Sequence, residues 1–368
     1  MRIGIDVTET SKAQRTGAAH FVVNLVEALL AHNSVASQVH EFKFYYRLSR
    51  HQVRAPRYIP QGHAGRWYWG PFGRPHNSQL DIIHGFQNRV PTWRGTAKVL
   101  TLFDIMPALE SAPQWMSTHF IEKRKKQFAA LSMNCDAILC ISETTKKDFM
   151  RLFAFPAERI HITYPGVTAR FSPQAREGWQ RVASRYHVPE RYMLFTGESS
   201  PRKNISRLIT AYSRSSVRKD TALVIAGSVD PATMQAIADC RRTVPGAAIC
   251  VPGYVADEDL PALYAGAQAF LFPSLYEGFG LPIIEAMASG VPVLIGDQGA
   301  SPEVAAQQAV VVDPYQVESI VDGIERVVRV PQAQRDAARA HAQTFSWERC
   351  AQQTLAAYDW ADQHRRQP

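Results

Sequence analysis

The sequence predicts an α/β protein of two parallel-sheet domains that face each other across a cleft. Three observations predict it. The chain has 368 residues, enough for two domains at roughly 100–200 residues each. Strand-like and helix-like patterns alternate through the first half, break, and resume. The break over residues 164–190 holds the turn-rich run YPGVTARFSPQ, so the boundary is drawn inside it. Residues 1–178 form the first domain, 179–350 the second, and 351–368 a terminal helix that returns to the first.

In the first half, RIGIDV is an apolar run that reads as a strand. TGAAHFVVNLVEALLAH follows, with Phe21, Val22, Leu25, Val26, Leu29 and Leu30 at helical spacing. HEFKFYY, DIIHGF, KVLTLFDI and AILCIS read as further strands, and HFIEKRKKQFAALSMN as a helix. After the break YMLFTG, TALVIAG, AAICVPG, AFLFPS, PVLIG and AVVVDP read as strands. The helical runs NISRLITAYSR, MQAIADCRRT, DLPALYAGA and PIIEAMASG separate them, and QVESIVDGIERVVRV follows. Such alternation builds a parallel sheet with helices on both faces, a Rossmann-like layout. The tail SWERCAQQTLAAYDWADQ has helical spacing and no strand after it.

An apolar fraction of 46% and a charged fraction of 20% are ordinary for a globular protein. No run approaches the ~20 apolar residues of a membrane span. MRIGIDVTET lacks the apolar core of a secretory signal, so the expected location is the cytoplasm. Five scattered cysteines without a CxxC pair read as small buried hydrophobes in a reducing compartment. Residues 1–178 hold 23 Lys+Arg against 13 Asp+Glu, and residues 179–368 hold 18 against 20. The basic half suits an anionic partner: nucleic acid, anionic lipid or a phosphorylated substrate. No nucleic-acid recognition module accompanies it, so nucleic acid is set aside.

The strongest chemical signal is Ser274-Leu275-Tyr276-Glu277-Gly278-Phe279-Gly280-Leu281-Pro282-Ile283-Ile284-Glu285, at a strand-to-helix turn. Gly278 and Gly280 let backbone N–H groups approach a ligand, and the helix start beyond them favours an anion or an oxygen-rich group. Two carboxylates, Glu277 and Glu285, can accept hydroxyl hydrogen bonds from opposite ends of a polyol. A second signal is Thr196-Gly197-Glu198-Ser199-Ser200-Pro201-Arg202-Lys203-Asn204. Arg offers a fork and Lys a point charge for a diphosphate. In Arg15-Thr16-Gly17-Ala18-Ala19, Gly17 lets backbone reach a phosphate, with a plain tight turn as the alternative.

These segments resemble the retaining GT-B glycosyltransferases of family 4, the glycogen-synthase-like and mannosyltransferase-like enzymes. The resemblance implies two Rossmann-like domains, the first binding the acceptor and the second the nucleotide sugar. It implies that Glu277 contacts the transferred sugar, Glu285 the ribose hydroxyls, and Arg202 with Lys203 the diphosphate. Gly197 belongs to the matching G-x3-PRKN segment, Phe279 and Leu281 to the GFGLP core, and Gly253, Tyr254 and Val255 to the turn near the nucleotide base. Relatives carry His-Asp after the strand matching KVLTLFDIMP, where this chain has Phe103 and then Asp104. Asp104 is placed in the catalytic set, with a loop cap as the alternative. His84 is placed at the cleft as a substrate contact, against a structural histidine. Asp257-Glu258-Asp259 looks like a metal motif but precedes a helix, where carboxylates complement the dipole, so no metal and no cofactor is expected.

The implied reaction moves a hexose from a nucleotide diphosphate sugar to a polyprenyl-linked or saccharide acceptor, in surface-polysaccharide synthesis. GDP-mannose is the first choice of donor, with UDP-glucose, UDP-N-acetylglucosamine or dTDP-rhamnose as alternatives. A non-catalytic sugar-nucleotide-binding protein is the reading from another class. Two segments suit an anionic membrane surface. Lys123-Arg124-Lys125-Lys126 lies on an amphipathic helix, with a solvated charged face as the alternative, and Gly65–Gly73 carries Trp67, Tyr68 and Trp69 beside Arg66, with buried packing as the alternative.

Overall fold

The computed structural model describes residues 1–11, 16–35, 40–48, 58–69, 79–109 and 116–365. The chain divides into two units, Met1–Gly166 with Ser346–Pro368, and Val167–Phe345. The first holds β1 (Arg2–Asp6), β2 (Glu41–Leu48), β3 (Gly65–Trp69), β4 (Ile82–Phe86), β5 (Ala97–Leu102), β6 (Ala137–Cys140) and β7 (Ile160–Ile162). All pair in parallel, in the order β3-β2-β1-β4-β5-β6-β7. Every residue of β4 is buried, as expected of a parallel strand covered on both faces. The helices are α1 (Gly17–Val35), α2 (Thr118–Asn134) and α3 (Glu143–Leu152). α1 buries Phe21, Val22, Leu25, Val26 and Leu29, one stripe of the predicted helical spacing.

The aromatic run at 65–69 forms the edge strand β3. Its alternation divides the aromatics: Tyr68 is buried and donates its hydroxyl to Asp6 at 2.6 Å, while Trp67 is 37% exposed. Residues 70–73 of that segment, like Arg15, lie outside the described residues.

The second unit holds β8 (Tyr192–Thr196), β9 (Ala222–Ala226), β10 (Ile249–Gly253), β11 (Ala269–Phe272), β12 (Val293–Gly296) and β13 (Val310–Val312). They are parallel, in the order β10-β9-β8-β11-β12-β13. Strand order reverses between β8 and β11. In an open sheet, ligands bind outside the carboxyl ends of the strands at such a switch point. The connecting helices are α4 (Trp179–Tyr186), α5 (Ile205–Arg214), α6 (Pro231–Thr243), α7 (Leu260–Gly266), α8 (Leu281–Ala288), α9 (Ser301–Ala305), α10 (Val317–Val327) and α11 (Gln332–Ala342).

The last helix, α12 (Trp347–Gln363), belongs to the first unit and packs on α1 and on β4–β7. Cys350, Ala351, Thr354, Leu355, Ala357, Tyr358 and Ala361 form its buried face. Ser346 caps it, accepting from the Arg349 amide at 3.1 Å, so the return begins at 346 and not 351. The other division falls at 166/167 where 178/179 was expected. Residues after Gly166 join the second core: Phe171 packs edge-on against Tyr264 at 5.6 Å, and Trp179 donates to the Tyr192 hydroxyl at 3.2 Å. Turn-rich composition marks irregular backbone, not the core it joins. Among the described residues, no helix is long and apolar enough to cross a membrane.

Candidate active site

Parallel strands present their carboxyl ends at one edge, and at the β10-β9-β8 side of the second sheet a glycine closes β10 or directly follows β8 and β9. Gly197, Gly227 and Gly253 all have positive φ, at 133°, 142° and 75°. The Gly197 amide donates to Ala226 O at 2.9 Å and the Gly227 amide to Gly253 O at 2.8 Å. A Cβ on Gly227 would lie 2.0 Å from Gly197 O, so only glycine fits there. A Cβ on Gly253 would meet nothing within 4 Å, so backbone faces open space. Next to it Tyr254 is 48% exposed and Val255 is buried.

Gly197 leads into the short 3-10 turn Pro201–Lys203, which ends at Asn204 in the left-handed region, φ 60°. Asn tolerates that conformation better than most residues. Its side-chain amide donates to Pro273 O at 3.0 Å and Pro314 O at 2.7 Å, and the Leu275 amide donates to Arg202 O at 2.8 Å. These bonds stitch the turn to the loop after β11 and bring the two motifs together. Lys203 Nζ lies 2.9 Å from Glu277 Oε1 and 4.2 Å from the Phe272 ring centroid. The Arg202 guanidinium pairs with Glu277 Oε2 and donates to Tyr276 O at 3.0 Å.

Glu277 is 5% exposed and Lys203 9%. Burial alone would raise the Glu277 pKa, but the charges of Arg202 and Lys203 outweigh it and hold the carboxyl at about 2. Burial lowers the Lys203 pKa, and Glu277 opposes that shift. Two cations flank the Glu277 carboxylate, and the Glu198 charge acts on Lys203 more weakly. Guanidinium and ammonium are the donor types that bind phosphate oxygens.

Glu277 is fixed from its other side by Gly299, φ 64°, where a Cβ would lie 2.7 Å from the Glu277 amide and carbonyl. Gly278 and Phe279 are buried, and Phe279 packs edge-on against Phe345 at 5.5 Å. Gly280, φ 99°, precedes α8, and no side chain caps that helix start. Leu281 opens α8 and Glu285 stands in its second turn, partly exposed. The buried Tyr264 hydroxyl hydrogen-bonds to Glu285 and lies 2.7 Å from Thr196 Oγ1.

The first unit carries the other three expected site residues. Gly17 is exposed at the start of α1, with no strained φ and open space around a Cβ, so its geometry does not demand glycine. Asp104 Oδ1 accepts from the Met106 amide, two residues on, at 3.3 Å. Phe103 packs against Phe21 at 5.1 Å and stacks on Phe86 at 6.3 Å. His84 corrects the expectation of a substrate contact. It is fully buried, with Nδ1 2.6 Å from the Tyr358 hydroxyl and Nε2 2.8 Å from Thr101 Oγ1. Burial drives its pKa to about 3, so it is a neutral structural residue under α12. Asp259 is fully buried and paired with Arg181 at 2.7 Å and Arg185 at 3.1 Å, which commits its charge to α4.

Residues 180–344 match the family described as glycosyl transferases group 1, and residues 15–171 match glycosyltransferase family 4. An O-antigen chain mannosyltransferase B of Escherichia coli is 33% identical over 287 residues, covering 75% of this chain and 74% of that protein. The chain belongs to the family 4 glycosyltransferases. An MMP alpha-(1->4)-mannosyltransferase of Mycolicibacterium hassiacum is 30% identical over 66% of this chain and 57% of its own length. Among solved structures, the GT-B fold of this glycosyltransferase is similar to sucrose-phosphate synthase from Thermosynechococcus elongatus, with a TM-score of 0.75, 19% identity and 98% of both chains covered. It is also similar to WaaG, a glycosyltransferase involved in lipopolysaccharide biosynthesis, at a TM-score of 0.69, 16% identity and 99% of both chains.

Three residues of this candidate site escaped the sequence reading, Gly227, Tyr264 and Gly299, while Thr196 was read at the head of the second segment without a role of its own. Gly227 closes TALVIAG as Gly197 closes YMLFTG, so the repeated strand-glycine ending was a usable signal. Nothing local marks Tyr264, which sits 68 residues from Thr196 and reads as a core aromatic.

Proposed function

We propose that this glycosyltransferase moves a mannosyl residue from GDP-mannose to a lipid-linked or polysaccharide acceptor in surface-polysaccharide synthesis, with retention at the anomeric carbon and without a metal. The observation that carries the reading is the Arg202–Lys203–Glu277 cluster at the switch point of the second sheet. Mannose is supported by relatives named as mannosyltransferases, two of them of the O-antigen chain.

Breaking the bond between the anomeric carbon and the diphosphate leaves positive charge on the ring and negative charge on the phosphate. Arg202 and Lys203 neutralise the phosphate, the task a metal performs elsewhere. Glu277, held as an anion, accepts hydroxyl hydrogen bonds from the sugar and orients it. A carboxyl with a pKa of about 2 is a poor proton carrier, so the acceptor proton passes to an oxygen of the leaving phosphate. Glu285 takes the ribose hydroxyls, and the turn Gly253–Val255 lies beside the base.

The basic first half supports docking on an anionic membrane surface through α2. Lys123 and Lys126 of that helix are exposed, and Arg124 lies 5.0 Å over the Phe120 ring.

A donor panel of GDP-mannose, UDP-glucose, UDP-N-acetylglucosamine and dTDP-rhamnose with a polyprenyl-linked saccharide tests the reading. Turnover with GDP-mannose and an α-anomeric product by NMR are expected. Replacing Arg202 and Lys203 together by Ala should lower kcat/KM by about 10³-fold or more, with folding checked by calorimetry. Undiminished turnover in the folded double variant would sink the assignment.

A further inference from the structure

The Tyr264 ring is buried between Phe171, at 5.6 Å, and Phe270, at 5.3 Å. A phenol hydroxyl in such surroundings needs partners, and this one has two: Thr196 Oγ1 at 2.7 Å and the Glu285 carboxylate. Their chemistry fixes the direction of both bonds. An ionised carboxylate only accepts, so the phenol proton goes to Glu285. The Thr196 hydroxyl is left to donate into the phenol oxygen. Burial, reinforced by the Glu285 charge, pushes the phenol pKa well above its ordinary 10, so Tyr264 stays a donor.

Glu285 itself is partly exposed on α8. A Glu side chain left to itself samples several rotamers, and holding one of them costs entropy. The phenol supplies a fixed anchor from the core side. A carboxylate has more acceptor positions than one such bond uses, and ligand hydroxyls can engage them. Thr196 is the last residue of β8, next to Gly197, so the relay also ties the glycine-ended strand edge to α8.

The structure assigns Tyr264 a positioning role: its hydroxyl, oriented by Thr196, holds the Glu285 carboxylate in place for the ribose hydroxyls of the nucleotide. This rests on the proposal that Glu285 contacts the ribose, and the test separates the two. Calorimetric titration compares GDP with 2′,3′-dideoxy-GDP, and UDP with its dideoxy counterpart, and the tighter-binding base is scored. Wild-type protein is expected to prefer the ribonucleotide by at least about tenfold, the size of a hydrogen bond to a charged group. Glu285→Ala abolishes that preference. Tyr264→Phe, which keeps the ring packing, lowers it about three- to tenfold and leaves dideoxynucleotide affinity within about twofold of wild type. A general loss of fold would instead weaken both nucleotides together. Thr196→Val keeps the phenol and removes its orienting donor, giving a smaller drop, and it decides alone if Tyr264→Phe melts below the assay temperature. Wild-type preference retained in the folded Tyr264 and Thr196 variants, while Glu285→Ala loses it, overturns the positioning role alone. No preference in wild type, or a preference surviving Glu285→Ala, overturns the ribose assignment and the positioning role with it.

Discussion

Glu277 and Lys203 are opposite charges buried side by side, and each makes the other tolerable. Removing one partner of a buried pair costs more than the pair contributes, because the survivor keeps its desolvation penalty. Glu277→Gln should therefore destabilise the second unit by about 3–5 kcal/mol in denaturant melts, and adding Lys203→Met should recover part of that loss. An unchanged midpoint in the single variant would contradict the burial argument. The same pair sets an acid limit. The folded carboxyl titrates at about 2 against an ordinary 4.5, so its contribution is complete above pH 4.5 and drains away as pH falls towards 2. Melting wild type and Glu277→Gln across that window should show their difference shrinking.

β4 and α12 depend on a histidine expected to touch substrate. His84 fills both ring nitrogens with Tyr358 of α12 and Thr101 of β5. His84→Leu keeps the volume but orphans both hydroxyls, which should cost about 1–3 kcal/mol and leave the donor KM unchanged. A raised donor KM in a stably folded variant would restore the substrate role. At the glycine edge, Gly227→Ala places a methyl 2.0 Å from Gly197 O on a residue with φ of 142°. That should destabilise the second unit by about 1–3 kcal/mol and raise the donor KM, since the turn before Arg202 must move. Wild-type KM and stability would show that the edge yields freely.

For the whole molecule, charge and ligand binding are the properties to read. A nucleotide that binds the native state alone raises stability by about 2.7 kcal/mol at a hundred times its Kd. GDP should raise the melting temperature more than UDP if GDP-mannose is the donor, and the reverse order would change the donor assignment. Residues 1–178 carry a ten-charge excess of Lys+Arg, 23 against 13. Flotation with phosphatidylglycerol vesicles should recover the protein at low salt, fading near 0.5 M where the Debye length is only a few ångströms. Equal recovery with phosphatidylcholine would point to apolar contacts instead.

Much was legible along the chain because it is written locally. Strands buried on both faces read as apolar runs, helices as stripes, and Arg202-Lys203 and Glu277 as short patterns in strand-to-helix turns. The six strands of the second unit and the family follow from those features. Other facts depend on residues distant in sequence and needed the packed fold. Residues 167–178 join the second core, His84 pairs with Tyr358 at a separation of 274 residues, and Tyr264 meets Thr196 and Glu285 beneath the glycine edge. Short-range pattern sets which elements form, because each turn or strand is stabilised by its own neighbours. Which partner a buried polar group finds is settled only when the layers close, because an unpaired donor or acceptor there is too costly to leave.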